Sequence, residues 1–343
     1  MPLAVTATAF SVWVIVATIW SPEPADALPR VIKLVPLILL GCFALRLPHM
    51  VDVDGRRAAR WMTNGTAVAV VLLLAAIGYA YGTGDALWGE FDQDPLTPLN
   101  SNAVVLALIS WPLLIVFGPR KPFEAAALAV CTLITLCLSS SLAAFMVFLI
   151  CSGVLVFRWM IGVRAGYAIA VVAAALIVLA PYIIQLTKVK EYLADHPVAY
   201  SDVTSSARHR LAMWSFAAEK IGEKPWLGWG MGASRHIPQE EYRLAPNMEI
   251  MPLHPHNLAL QTRLELGLPG ALILAGFVFA IFYRLATFTD DGWKSGVAMA
   301  AASAWLFVAN VSYGMWQSWW IAMAFLLAIL MKIAFAAGTR KAD

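Results

Sequence analysis

Residues 165–186 read AGYAIAVVAAALIVLAPYIIQL, twenty-two residues without a charge. About 20 apolar residues carry a helix across the hydrocarbon core of a bilayer. Strands of a membrane barrel are shorter and alternate in polarity, so the length and continuity of this run exclude them. Working outward, comparable runs of roughly 17–24 residues occupy about 3–20, 30–47, 63–82, 101–118, 122–138, 141–158, 263–286, 294–312 and 315–336. The whole chain is 61% hydrophobic and 13% charged, too little charge to clothe a soluble domain of 343 residues. The reading is an all-α, polytopic membrane protein with about ten transmembrane helices.

Lysine and arginine set the expected orientation. Arg46, Arg56, Arg57 and Arg60 fill the second connection, Arg120 and Lys121 the fourth, and Arg158 and Arg164 the sixth. Arg284 and Lys294 fill the eighth, and Lys332, Arg340 and Lys341 the tail. The alternate connections are acidic: Glu23 and Asp26 in one, Asp85, Glu90, Asp92 and Asp94 in another. Both termini are expected in the cytoplasm and the segment of about 187–256 outside. The first run has no basic leader and no convincing cleavage site, so it reads as a retained span.

Several classes drop out. The net charge of +3 is small and spread over connections, which gives no footing for nucleic acid. Cys42, Cys131, Cys137 and Cys151 all lie in apolar runs and read as small core residues, not as disulfides or a zinc site. A polyprenyl-glycan or small-molecule transporter stays as the rival reading from another class. No paired, broken spans of the kind that mark transporters stand out, however, and charged residues avoid the middle of the spans, which favours chemistry at one surface.

The chain therefore divides into seven spans over 1–186, a long loop over 187–257, and three spans with a tail over 258–343. Within the loop, Ser205-Ser206 can cap a helix from about Arg208 to Ile221, stopped by Gly222 and Pro225. The glycine-rich stretch Gly228–Gly232 reads as a turn that seats the loop on the membrane domain; the alternative is a backbone cradle for phosphate. The loop closes on His254-Pro255-His256-Asn257, then Gln261 and Glu265. Asn257, Gln261 and Glu265 are four apart and share one helix face. Polar groups clustered where an apolar span begins are costly unless they bind or react with something.

The order of these pieces resembles the O-antigen ligase and polymerase superfamily. It runs Arg210 and Trp214, then Pro225, Gly228 and Gly230, then His256-Asn257, Gln261, and Glu265 with Gly267 and Gly270. Leu99–Ala103 and Ser139–Ala143 look similar to family segments more loosely, and the resemblance covers roughly residues 95–335. The chain departs from the family in having about ten spans where relatives have about twelve. Many relatives also carry an arginine after the first serine of the 139–141 region, where this chain has Ser140, Ser141 and Leu142.

The resemblance implies a glycosyltransferase of the bacterial inner membrane, working on its periplasmic side. It would move a glycan from an undecaprenyl-pyrophosphate carrier to an acceptor hydroxyl, on lipid A-core (a ligase), on a second lipid-linked glycan (a polymerase) or on a protein side chain. A sugar hydroxyl needs a base, and histidine is tuned for that near neutral pH. His256 is the expected base, oriented by Asn257 or by the Gln261–Glu265 face; the bland alternative is a residue that anchors the eighth span. Arg210 is the expected pyrophosphate ligand through its bidentate fork, with Arg208 competing and Arg235 and Arg263 as further candidates. Arg263 could equally be a snorkelling interfacial cation. His254 reads as a positioning residue, and Glu265 as a partner for His256 or Arg263. No cofactor is expected and the reaction is read as metal-independent. Asp92-Gln93-Asp94 has a spacing that suits a divalent cation, but an acidic solvated loop explains it as well. Trp226, Trp229 and the Trp316–Trp320 cluster could stack on sugars or anchor the protein at the interface.

Overall fold

A computed structural model describes residues 2–46, 54–85, 96–118, 121–139, 141–187, 192, 206–239, 243–245 and 248–339. The ten apolar runs appear as ten helices: α1 (Pro2–Val16), α2 (Pro24–Ala44), α3 (Gly55–Thr83), α4 (Asn100–Phe117), α5 (Pro122–Leu138), α6 (Leu142–Ile161) and α7 (Val163–Leu186), then α9 (Leu258–Thr287), α10 (Gly292–Val311) and α11 (Ser318–Thr339). Between α7 and α9 lie α8 (Ser206–Glu223) and a short antiparallel hairpin, β1 (Arg243–Ala245) with β2 (Met248–Glu249). Eight of the ten are long and apolar enough to cross a membrane. The apolar stretches of α1 and α5 are shorter, roughly 21 and 26 Å at the helical rise. The chain is a polytopic α-helical membrane protein.

Helix ends follow local chemistry. Asp54 caps α3 by accepting from the amides of Arg56 and Arg57 at 3.0 and 3.2 Å. Gly84 closes that helix in the left-handed region, φ 78°, which glycine adopts at least cost. The apolar run placed at 263–286 begins five residues earlier in the structure, at Leu258, because the Asn257 side chain accepts the Leu260 amide and caps the helix.

The chain forms two compact units that interleave in sequence: 1–39, 167–284 and 309–321 in one, 40–166, 285–308 and 322–343 in the other. In the second, α4 is the core. It is apolar on all sides and packs against α3, α5 and α6, as a helix without a polar face must. Its one buried hydroxyl, Ser110, is satisfied by the Leu106 carbonyl and Thr132.

The first unit holds the long loop against the membrane helices. Met213, Phe216, Ala217 and Ile221 on one face of α8 bury against Ala233, Ile237, Met251 and the α9 residues Leu260 and Leu264. Each large apolar side chain so buried contributes about 1.5–3 kcal/mol. Gln239 pinches the base of the hairpin excursion, its amide exchanging two 2.8 Å hydrogen bonds with the Met251 backbone.

The glycine-rich stretch is a seat. Helix α9 is broken at Gly267, φ 65° and ψ −161°. The loop crosses at that break: the Trp229 and Gly230 amides donate to the Leu264 and Glu265 carbonyls, and the Leu268 amide donates to the Trp226 carbonyl. A Cβ on Gly267 would lie 2.1 Å from the Trp226 oxygen, and one on Gly228 would lie 2.6 Å from the Gly267 nitrogen. Backbones this close admit only glycine. With the Gly228, Trp229, Gly230, Met231 and Gly232 amides all bonded within the protein, the stretch has no free donors with which to cradle a phosphate.

Candidate active site

The His-Pro-His-Asn turn is gripped from three sides. Trp214 of α8 donates its indole N–H to the Pro255 carbonyl at 2.8 Å. Asn310, at the end of α10, accepts the Ala259 amide at 3.1 Å. The Ser312 carbonyl receives His256 Nδ1 at 2.6 Å. His256 sits at φ 51°, the one non-glycine residue in the left-handed region among the described residues. That conformation costs about 1–3 kcal/mol and persists only where surroundings enforce it. Here His254 helps enforce it, since its Nδ1 accepts the His256 amide at 3.3 Å.

These bonds fix both tautomers. A carbonyl can only accept, so His256 carries its proton on Nδ1 and presents a lone pair on Nε2. An amide can only donate, so His254 carries its proton on Nε2. The two rings tilt against each other, centroids 4.2 Å apart at 58°. Gly314 leaves the space that the His254 ring fills; a Cβ there would meet Cδ2 at 2.5 Å. His254 is buried, whereas His256 keeps a partly exposed face.

Burial pushes the His254 imidazole down to about 3, helped by the charges of His256 and Arg235. Burial also lowers His256 below the usual histidine range; the Ser312 hydrogen bond opposes, and Arg210 and His209 add to the depression. His209 is lowered by burial too, its Nε2–H donating to the Ile250 carbonyl at 3.0 Å. The unfolded chain would take up protons that the folded turn refuses. The stability these neutral rings contribute is therefore in place above about pH 6.5 and is lost as pH falls below it, toward about 3 for His254.

Two arginines act on the pair through their charge. Arg210 is one turn before Trp214 on α8, half-buried, and no carboxylate among the described residues pairs with it. Burial lowers its affinity for its proton, opposed by the phenol of Tyr313, which favours the charge. Arg235 ends the 3₁₀ turn Ala233–Arg235, exposed, with its field on His254. Arg208 is half-buried on α8. Arg263 faces elsewhere: it is 1% exposed and donates to the Pro225 carbonyl at 3.2 Å and the Tyr182 hydroxyl at 3.4 Å. It neither snorkels to solvent nor pairs with Glu265.

Glu265 is a junction. Its carboxylate, 1% exposed, receives the Gly232 amide at 2.6 Å, the Ser234 hydroxyl at 2.5 Å, Gln261 Nε2 at 3.0 Å and the Trp316 indole at 2.7 Å. Gln261 in turn accepts the Met315 amide at 2.8 Å. The face shared by Gln261 and Glu265 thus ties α9 to the turn that carries Arg235 and to the connection after α10. The orientation of His256 expected from Asn257 or from this face comes instead from the Ser312 carbonyl, because Asn257 is committed to capping α9. Glu265→Gln would place an amide donor among four donors. We expect it to lower stability by about 2–4 kcal/mol, read as a fall in the thermal unfolding midpoint in detergent.

The 310–316 segment carries no signal in the sequence that points to the site. Asn310, Ser312, Gly314 and Met315 act through backbone, a short amide or the absence of a side chain at the boundary between two apolar runs, and only Trp316 stands out there by residue type. Asp92 and Asp94 lie outside the described residues.

The O-antigen ligase family model matches residues 127–275, a stretch that runs from α5 through the loop and the His-Pro-His-Asn turn into α9. The chain is 26% identical over 337 residues to "Putative polysaccharide ligase" of Rickettsia felis, covering 94% of this chain and 78% of that protein. The protein of the same name in Rickettsia bellii is 25% identical over 336 residues, with the same coverage. A third, from Rickettsia conorii, is 29% identical over 244 residues, 68% of this chain and 57% of its own length. No solved structure matches. Over residues 127–275, through the loop and the histidine turn, the chain is thus similar to the O-antigen ligase family, and along nearly its whole length it is similar to proteins named as polysaccharide ligases.

Proposed function

We propose that this protein is a glycosyltransferase of the bacterial inner membrane that uses a glycan carried on undecaprenyl pyrophosphate. The acceptor hydroxyl belongs first to lipid A-core, which makes the protein an O-antigen ligase, with both termini cytoplasmic and the His256 turn facing the periplasm. The observation that carries this reading is the state of His256. Its Nδ1–H is committed to Ser312, its Nε2 lone pair is free among the described residues, and the positive charges of Arg210 and Arg235 act on His256 and His254 respectively.

The chemistry follows from that arrangement. The acceptor hydroxyl loses its proton to His256 Nε2 as its oxygen bonds to the anomeric carbon. The bond from that carbon to the phosphate oxygen breaks, and undecaprenyl pyrophosphate leaves with the electron pair. Arg210 meets the developing charge with two parallel N–H donors, and Arg235 adds a second positive charge. The long apolar helices supply a surface for the polyprenyl tail.

A deletion strain tests the function. We expect lipopolysaccharide to lose its polymer while the polymer accumulates on the lipid carrier. Single repeat units on the core would identify a polymerase that uses the same donor. Unchanged lipopolysaccharide and unchanged lipid-linked glycan would overturn the proposal.

A further inference from the structure

The connection after α10 carries aromatic groups that proton transfer does not use. Ser312 orients His256, and the next residue, Tyr313, lies near enough to Arg210 to favour its charge. The Tyr313 ring meets Trp319 edge-on, with centroids 4.7 Å apart at 78°, and touches Trp320 at 4.9 Å. Trp320 is buried, and Trp316 is committed to Glu265 and to a stack on Phe10. Trp319 alone of these three keeps a large open surface, 42% exposed. In the same turn the side-chain oxygen of Gln317 is shut off from solvent and has no donor among the described residues. A stranded amide acceptor is costly unless a ligand satisfies it.

Interfacial anchoring would account for an exposed tryptophan at the start of a span. It does not account for an aromatic pair tied through Tyr313 to both Arg210 and the segment that holds His256, nor for the stranded acceptor beside it. We propose that Trp319 and Tyr313, with Gln317, form a carbohydrate subsite next to His256. The indole face would stack on the C–H face of a pyranose ring, and the Gln317 oxygen would accept from one of its hydroxyls. The inference rests on the glycan-transfer reading above.

The test uses the full-length protein in native membranes. Lipid-linked glycan and lipid A-core, both extracted from a strain lacking this protein, are titrated separately. Trp319→Ala should raise the half-saturating concentration of one of the two by about 5–15-fold, with the maximal rate within about threefold of the wild type. The substrate whose titration moves identifies the sugar bound, donor or acceptor. Trp319→Phe should restore most of the affinity, and Trp319→Leu should not, although leucine sits equally well in lipid. Unchanged half-saturation in Trp319→Ala, or rescue by leucine as complete as by phenylalanine, would overturn the subsite and leave the tryptophan an anchor. His256→Ala, assayed in parallel, separates this from failure of the underlying reading: full transfer by that variant removes the catalytic role whatever Trp319 does.

Discussion

Replacing His256 with alanine should lower glycan transfer by about 10²–10⁴-fold, the usual contribution of a positioned general base. Membrane insertion and binding of the lipid-linked donor should persist, because the turn is also held by Trp214 on Pro255 and by Asn310 on Ala259. Transfer assayed in membranes matched for protein level checks this. His254→Ala should keep measurable activity. It removes the acceptor for the His256 amide and the packing against Gly314, but not the Nδ1 bond to Ser312 that sets the tautomer of the base. A dead His254→Ala beside an active His256→Ala would exchange their roles. Two active variants would make both histidines structural.

Arg210→Ala should cost about 10²–10³-fold in the rate of transfer, the scale on which losing one donor to a developing anion is felt. Arg210→Lys should recover only part of it, since an ammonium keeps the charge but cannot offer the planar fork. What favours Arg210 over its rivals is its charge acting on His256. Arg210 is half-buried, where a charge is screened less. Arg208 shares its helix and Arg235 reaches His254, so near-normal transfer in Arg210→Ala would move the pyrophosphate role to one of them. Arg263 would not inherit it, being turned into the protein toward Pro225 and Tyr182.

The membrane architecture was legible because its cause is local. A run such as 165–186 spells a span in its own residues, and each of the ten runs became a helix. The face of Gln261 and Glu265 was legible for the same reason, as helix periodicity alone brings those side chains together. What lay hidden depends on contacts distant in sequence. Nothing around His256 announces that its ring is set by a carbonyl 56 residues away, or that a left-handed backbone presents it. Glu265 showed the same limit from the other side. A carboxylate near a histidine and an arginine suggests pairing with one of them, yet its four donors come from a glycine amide, a serine, a glutamine and an indole. The glycines from 228 to 232 spelled a turn, but only the break at Gly267 shows what that turn is for.

The central claim is that His256 Nε2 removes the acceptor's proton, and the pH dependence of single-turnover transfer tests it most directly. Only the neutral imidazole can accept, and burial together with Arg210 and His209 depresses its proton affinity. The rate should therefore be level from neutral pH down past 6.5 and fall along a one-proton acidic limb below that. In His256→Ala the residual transfer should lose this limb. A variant that keeps the wild-type limb, or a wild-type limb that lies well above pH 6.5, would show that another group takes the proton.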